Sequence, residues 1–377
     1  MAKDKKALDL VLTLDYELFG DGSGDVFELM IRPTEDFLSL CDKYNIKTTI
    51  FFEVMEYLKM QEEWEKGNMM NYSQNPAEAI RNQIISAHNS GHDIQLHIHP
   101  HWINSRYENG RWILDSRYWK LTKVPEKADA DFPLGLEELI ALGKDSIEGI
   151  IKPIDPAYRC HIFRAGGYCI TPSEKIISVL KKLGFTVDSS VIPGAYHNDD
   201  YYYYDFRNIS LDRPFWGVGK RVDTPLAEAG DFIEVPVFAK PMRRFKKYDL
   251  QRLRIALKHK ESNLERMKGK VENKPGLMDK LRFFMEKESL TWDFCLFSQA
   301  KMNDYFNFAR SIAEESKFGF HPFVLIGHSK GFLAPEVFEK FIIKNRTELN
   351  FLTLKKTAEK IRDLHSSAST GKKAQVG

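Results

Sequence analysis

The chain repeats one pattern that restricts its fold: a short apolar strand ends in a polar side chain, and a helix follows before the next strand. The first example is the run Leu8–Leu14, which leads into the carboxylates of Asp15 and Glu17. A helix from Pro33 and a second strand at Thr48–Phe52 complete a β-α-β unit. Because such a unit favours parallel strands joined by a right-handed crossover, the chain is predicted to form a parallel α/β sheet.

Polar side chains stand at the carboxyl ends of five predicted strands. They are Asp15 and Glu17, then His97, His99 and His101 after Ile94–Leu96, then Arg164, Asp188, and His328 after Phe323–Ile326. In a parallel β/α barrel these strand ends lie on one face, where the site is assembled. A carboxylate with two imidazoles makes an open metal site, a second carboxylate can take a proton from water, and a distant histidine can donate one. The residue types therefore predict metal-assisted hydrolysis.

Composition narrows the class of protein further. The formal net charge of +2 favours neither nucleic acid nor an anionic membrane surface as a partner. The four cysteines are scattered and form no CxxC pair, so free thiols in a reducing compartment are expected. The first apolar run is too short for a signal peptide, and no stretch approaches the ~18 apolar residues of a membrane span. We expect a cytoplasmic protein with no integral membrane segment.

One domain is expected over residues 1–365, with two insertions. Residues 103–134 carry aromatic side chains, which could either stack on sugar rings or pack as an ordinary insertion. Residues 240–300 are rich in Lys, Arg and Glu, and from 240 to 288 these stand at helical spacing, which predicts a solvated helical insertion. Residues 366–377 are small and polar and are predicted to be disordered.

Five stretches, in order along nearly the whole chain, resemble the motifs of the polysaccharide deacetylases, the NodB-homology superfamily of carbohydrate esterases and related amidases. They are Thr13–Glu17, Gly91–Ile94 with His97 and His101, Arg164–Tyr168, Asp188–Ser190 and Leu325–His328. The resemblance implies a distorted (β/α) barrel of about seven parallel strands. It also implies a divalent metal cofactor, for which we expect zinc.

Residue roles follow from the same resemblance. The catalytic residues that it implies are Asp15, Arg164, Tyr168, Asp188 and His328, and the metal ligands are Glu17, His97 and His101. Asp15 would be the general base, held in place by Arg164, and the backbone N–H of Tyr168 would face the developing oxyanion. His328 would protonate the leaving group, with Asp188 as its partner.

Two departures from the commonest family pattern leave alternatives open. Tyr16 separates the two carboxylates where the family commonly has adjacent aspartates, so the metal carboxylate is either Glu17, which we expect, or Asp15. His99 lies between the two expected imidazole ligands. A strand that continued through this stretch would place all three imidazoles on one side, so His99 can replace His101.

The expected function is metal-dependent removal of an acetyl group from an N- or O-acetylated sugar, such as a cell-surface glycan precursor. Two alternatives remain. An amidase or deformylase of the same superfamily would keep the site and act on a non-acetyl amide. A catalytically inactive protein would bind metal or sugar alone. The sequence indicates neither the specific sugar nor the oligomeric state.

Overall fold

The computed structural model describes residues 7–226, 230–247 and 285–373. Within these ranges, ten strands form the main sheet. They are β1 (Leu8–Tyr16), β2 (Thr49–Glu53), β3 (Asp93–Ile98), β4 (Ile162–Ala165), β5 (Val187–Asp188), β6 (Trp216–Val218), β7 (Pro225–Leu226), β8 (Ile233–Glu234), β9 (Pro322–His328) and β10 (Leu349–Leu352).

The sheet is rich in parallel pairs, as predicted. Its order is β7-β6-β8-β5-β4-β3-β2-β1-β9, with β10 also beside β1. All neighbours from β8 to β9 are parallel, whereas β6 and β7 add an antiparallel edge. The chain just after β8 meets β9 only through an isolated bridge between Val237 and Val324. The strand pairing therefore describes a curled, parallel-rich sheet, and the predicted distorted barrel of about seven parallel strands is not confirmed in that form.

Eight helices accompany the sheet in the described residues. They are α1 (Arg32–Lys43), α2 (Val54–Glu65), α3 (Pro76–Asn89), α4 (Leu136–Ile151), α5 (Glu174–Lys182), α6 (Gln299–Glu315), α7 (Pro335–Asn345) and α8 (Leu354–Lys373).

The start of helix α3 is marked by its local sequence. The Asn75 side chain accepts hydrogen bonds from the backbone N–H groups of Ala77 and Glu78, and a proline stands at the first position. Both features stabilise a helix start. Ile80 and Ile84, one turn apart, are buried. The next strand, β3, then begins four residues after the helix ends.

Strand β1 lies inside the core, which shields Asp15 from water. All nine residues of β1 are buried, including its polar ones, because the sheet is covered on both faces. Asp15 has only 2% of its surface exposed. A strand that enters the core along its whole length therefore delivers a carboxylate into a nearly water-free environment.

The ends of one predicted insertion differ from the expectation. Residues Ala239–Arg243 and Lys287–Thr291, at the ends of the expected helical insertion, instead form an antiparallel pair of strands, in which Ala239, Met242, Ser289 and Leu290 are buried. Residues 248–284 lie outside the described ranges. Helix α8 extends to Lys373, into the stretch 366–377 for which disorder is predicted, and residues 374–377 lie outside the described ranges, so the disorder of the tail stays a prediction.

All four cysteines are free and buried, as expected. Among the described helices, none is long and apolar enough to cross a lipid bilayer.

Candidate metal centre and active site

Strand register brings the predicted polar residues to one edge of the sheet. Asp15 lies opposite His328 across β1 and β9, and His97 lies opposite Arg164 across β3 and β4. Glu53, the last residue of β2, also lies opposite His97. Because these strands are parallel, their carboxyl ends meet at the same edge and form one site.

Four buried side chains, those of Glu17, Glu53, His97 and His99, form a cluster whose potential ligand atoms all lie within 4.8 Å of one another. Oε2 of Glu17 lies 3.0 Å from Nε2 of His99 and 3.5 Å from Nε2 of His97. Carboxylate oxygens and imidazole nitrogens are the ligands that zinc and related divalent metals take in proteins. The metal cluster, as we call these four residues, therefore has a suitable donor set.

The buried carboxyl groups in and beside the metal cluster also fit a bound cation. Burial, together with the nearby Glu17, raises the pKa of Glu53 well above its usual range and that of Glu56 to about 8. Within the described part of the chain, Oε2 of Glu53 is buried and has no hydrogen-bond partner. A divalent cation would both offset the charge and bind this oxygen, so the residues present fit a metal ion.

Lys330 fixes the orientation of Glu17. Its Nζ donates to Oε1 of Glu17 at 2.7 Å and to the carbonyl oxygen of Leu18 at 2.5 Å. Burial alone would raise the pKa of Glu17, but Lys330 and His99 hold it well below its usual range. Glu17 is therefore an anion whose second oxygen, Oε2, faces the two histidines.

The protonation of His97 can be read from its surroundings. Its Nδ1 lies 3.0 Å from the carbonyl oxygen of Arg164. Since a carbonyl oxygen only accepts hydrogen bonds, Nδ1 is the donor here, and Nε2 is the ring nitrogen that faces Glu17. A histidine held in this way by a carbonyl group behind it is the usual arrangement of a metal ligand.

The structure leaves His101 outside the four-residue metal cluster, although its ring centroid lies 5.3 Å from that of His99. A short 3-10 turn begins at Pro100 and ends the extended run of β3. Nε2 of His101 instead lies 2.9 Å from the carbonyl oxygen of Gly20, and its ring stacks on Trp119 at a centroid distance of 4.3 Å. Burial lowers the pKa of His101 to about 3, so the ring is neutral. Of the two histidines left open by the sequence, His99 is the one beside Glu17.

Asp15 is held by a buried arginine, as the resemblance implies. NH1 of Arg164 donates to Oδ1 of Asp15 at 2.6 Å and to the Thr13 hydroxyl at 2.9 Å, while Nε donates to the carbonyl oxygen of Ser189. Burial would raise the pKa of Asp15, but the guanidinium and two nearby imidazoles keep it lowered. Asp15 is thus an ionised carboxylate with one oxygen fixed, and it lies outside the metal cluster.

His328 lies on the more open side of the same site. Its side chain is 27% exposed, and Nε2 lies 3.7 Å from Oδ2 of Asp15 and 3.8 Å from Oε1 of Glu17. The ring therefore stands beside the carboxylate oxygen that Arg164 leaves unbound. Such a position suits a group that exchanges protons with a substrate.

Asp188 has a different environment from the one expected. Its Oδ1 accepts a hydrogen bond from the Ser190 hydroxyl, and Glu234 lies beside it on β8. Burial raises the pKa of both carboxyl groups, and Glu234 is raised further by Asp188, so the pair retains a proton. In the register Asp188, the last residue of β5, pairs with Phe163, one residue before Arg164. The nearest carboxylates to His328 are those of Asp15 and Glu17.

Tyr168 lies in a turn that requires left-handed backbone. Gly167 has φ 57° and Tyr168 itself has φ 62°. The Tyr168 hydroxyl is buried without a hydrogen-bond partner among the described residues. Its ring borders the same open space as His328.

Sequence reasoning missed Glu53, Glu56 and Lys330. Glu53 directly follows the predicted strand Thr48–Phe52, so its position at a strand end was a usable signal. Lys330 stands two residues after His328, within the turn that follows β9. Nothing local marks Glu56, which lies in the first turn of α2 and accepts hydrogen bonds from the N–H of Leu18.

Comparison with known proteins gives remote matches only. No family model matches the chain, and no curated protein matches it. Among solved structures, a protein described as a polysaccharide deacetylase from Mycobacterium smegmatis has 13% identity and a TM-score of 0.45, covering 96% of this chain and 92% of the other. PuuE allantoinase has the same identity, TM-score and coverage.

A third match is to a protein with a different printed activity. The 4-α-glucanotransferase from Thermococcus litoralis has 11% identity and a TM-score of 0.47, and the match covers 94% of this chain but 40% of that one. Because all three matches are remote, the function proposed below depends on the side chains of this chain.

Proposed function

We propose that the protein is a metal-dependent hydrolase that removes an acetyl group from an N- or O-acetylated sugar. The observation that carries this proposal is the pairing of two different carboxylate environments at one sheet edge. Glu17 belongs to a cluster with two imidazoles, whereas Asp15, two residues away, is held by Arg164 beside His328. One carboxylate suits metal binding, and the other suits proton transfer.

Asp15 acts as the general base. Its Oδ1 is occupied by Arg164, so Oδ2 receives the proton of the attacking water. The guanidinium keeps the carboxylate ionised despite its burial, and it also prevents rotation of the group. A divalent metal, zinc in this proposal, held by Glu17, Glu53, His97 and His99, would polarise the acyl group and make water a competent nucleophile at neutral pH.

His328 and Tyr168 complete the reaction. Nε2 of His328 donates a proton to the leaving nitrogen or oxygen, which departs as an amine or an alcohol while acetate is released. The backbone N–H of Tyr168 is assigned to the developing oxyanion, where a fixed donor favours the transition state. Asp188 acts through Ser190, which donates to it and also accepts from the N–H of Ala165, and so supports the strand that carries Arg164.

The test is acetate release from acetylated sugars, measured before and after treatment with a chelator and again after zinc is restored. We expect release by the untreated protein, at least ~100-fold slower release after chelation, and recovery with zinc, because the metal supplies several kcal/mol of transition-state stabilisation. Chelator-insensitive release, or no release from any acetylated sugar, would overturn the proposal.

A further inference from the structure

Lys330 lies beside the metal cluster although it carries a positive charge. It belongs to the turn Ser329–Gly331 after β9, and its side chain is 13% exposed. Its Nζ lies 2.7 Å from Oε1 of Glu17 and 2.5 Å from the carbonyl oxygen of Leu18. A lysine ammonium group has three hydrogen-bond donors and no acceptor, so it donates to both oxygens. Because a positive charge opposes the binding of a second cation nearby, the position of Lys330 requires another explanation.

The backbone that carries Glu17 is fixed on several sides. The Ser329 hydroxyl donates to the carbonyl oxygen of Glu17 at 3.2 Å. The N–H of Leu18 lies 3.2 Å and 3.1 Å from the two carboxyl oxygens of Glu56, and the carbonyl oxygen of Leu18 accepts from Lys330. The Glu17 side chain therefore starts from a backbone that these contacts hold in place.

The two carboxylate oxygens of Glu17 have different surroundings. Oε2 lies 3.0 Å from Nε2 of His99 and 3.5 Å from Nε2 of His97. Oε1 accepts from Lys330 instead, and Nε2 of His328 lies 3.8 Å from it. Because Oε1 is engaged by an ammonium group, Glu17 presents a single oxygen to the metal cluster.

The number of oxygen donors affects which metal a site prefers. Zinc in proteins takes a tetrahedral set of ligands in most sites and binds imidazole nitrogen readily. Manganese suits carboxylate and water oxygens in an octahedral arrangement. A carboxylate that binds through both oxygens adds an oxygen donor, which favours manganese relative to zinc.

We propose that Lys330 is a positioning residue that limits Glu17 to one oxygen at the metal, and that this limit makes the metal cluster select zinc over manganese. The inference rests on the proposed function for the presence of a divalent metal. It adds a selectivity that comes from a residue outside the ligand set, acting through Glu17.

The experiment measures the Kd of zinc and of manganese for the chelator-stripped protein, by competition with a chromophoric chelator. We expect the preference of the wild-type protein for zinc, as the ratio of the two Kd values, to fall at least ~10-fold in Lys330→Met, a size typical of changes behind a ligand. Lys330→Ala should show the same fall and serves if the methionine variant does not fold. Lys330→Arg, which keeps charged donors, should stay closer to the wild-type ratio.

Cobalt provides a readout that a loss of stability alone would not change. The visible absorption of Co²⁺ is strong in a tetrahedral site and weak in an octahedral one. The cobalt-loaded Lys330→Met variant should therefore absorb more weakly per bound ion than the wild-type protein, because the freed Oε1 of Glu17 becomes an additional ligand.

Lys59 provides a matched control. Its side chain is 16% exposed, and its Nζ lies 2.7 Å from Oε2 of Glu62, which is not one of the clustered residues. Lys59→Met should keep both the metal preference and the cobalt spectrum of the wild-type protein. An unchanged preference in the Lys330 variants, the same change in Lys59→Met, or failure of the wild-type protein to bind zinc would each overturn the inference.

The proposed function fails by a different result, because these binding measurements use no substrate. If acetate release is absent but the zinc preference depends on Lys330 as expected, the hydrolase proposal is wrong and the inference stands. If acetate release depends on metal but Lys330→Met keeps the wild-type preference, the hydrolase proposal stands and the role of Lys330 is wrong.

Discussion

Asp15 and Glu17 are close in sequence, yet their neighbours give them separate tasks. We predict that Glu17→Gln lowers metal affinity by at least ~10-fold, because changes to groups behind a ligand already cost that much. Asp15→Asn should keep its metal and lose about 10²–10⁴-fold in turnover, the usual share of a general base. Elemental analysis of the purified variants, together with acetate release, measures both quantities.

The exposed Asp36 on helix α1 provides a control of the same residue type. Asp36→Asn should change neither quantity. Metal loss in Asp15→Asn with retention in Glu17→Gln would exchange the two roles and leave the base unassigned.

At the residue scale, the sequence predicted which types of side chain form the site better than it predicted where each side chain points. Alternation along β3 continues through His99 and then ends at Pro100, so the first two histidines face Glu17 and His101 turns to Gly20. Where a strand ends depends on tertiary packing, and the spacing of three histidines cannot decide it. Glu53 was missed because its role depends on the register that places it opposite His97.

At the scale of elements, the turn between α3 and β3 depends on a buried histidine. Nδ1 of His92 accepts the backbone N–H of Thr48, and the side chain is fully buried. Burial, together with the nearby Lys47, lowers the pKa of His92 from 6.5 to about 4, although Asp42 opposes this shift. The ring is therefore neutral in the folded protein at neutral pH.

This burial makes stability dependent on pH. In the unfolded chain His92 takes up a proton near pH 6.5, whereas in the folded chain it does so only near pH 4. The free energy of unfolding therefore has its full contribution from the neutral ring above pH 6.5 and loses it as the pH falls. We expect the free energy of unfolding to drop by about 2 kcal/mol between pH 7 and pH 5 on account of this residue. Urea unfolding at the two pH values measures the drop.

The contribution of His92 can be isolated by substitution. His92→Gln should be less stable at pH 7 but should show a correspondingly smaller drop at pH 5. His197, which is exposed and paired with Asp199, provides the control, and His197→Gln should keep the wild-type drop. An unchanged drop in His92→Gln would show that another group causes the dependence.

Elements with local end signals were the most predictable part of the fold. Helix α1 begins one residue before the expected Pro33, and β1 and β9 lie close to their expected ranges. The antiparallel pair of 239–243 with 287–291 was not predicted, because its two strands are far apart in sequence and surrounded by charged residues. Closure of the sheet likewise depends on pairing between distant segments. The hydrophobic periodicity within one segment does not predict such pairing.

At the scale of the whole molecule, the fold concentrates buried charge at one edge of the sheet. Three glutamates, Glu17, Glu53 and Glu56, are buried there, and Lys330 pairs with the first of them. Three carboxyl groups buried together would strongly destabilise the folded domain if no cation compensated their charge. Metal binding should therefore stabilise the folded protein, by an amount that grows with the logarithm of the ratio of free metal concentration to Kd.

The most direct test of the account is the amount of zinc bound per chain after the protein is stripped with chelator and reloaded. We predict close to one equivalent for the wild-type protein and for His101→Gln, since Nε2 of His101 lies 2.9 Å from the carbonyl oxygen of Gly20 and His101 is not one of the four clustered residues. Glu53→Gln and His99→Gln should bind far less at the same free zinc concentration. Absence of zinc from the wild-type protein, or loss of zinc in His101→Gln with retention in His99→Gln, would contradict the account.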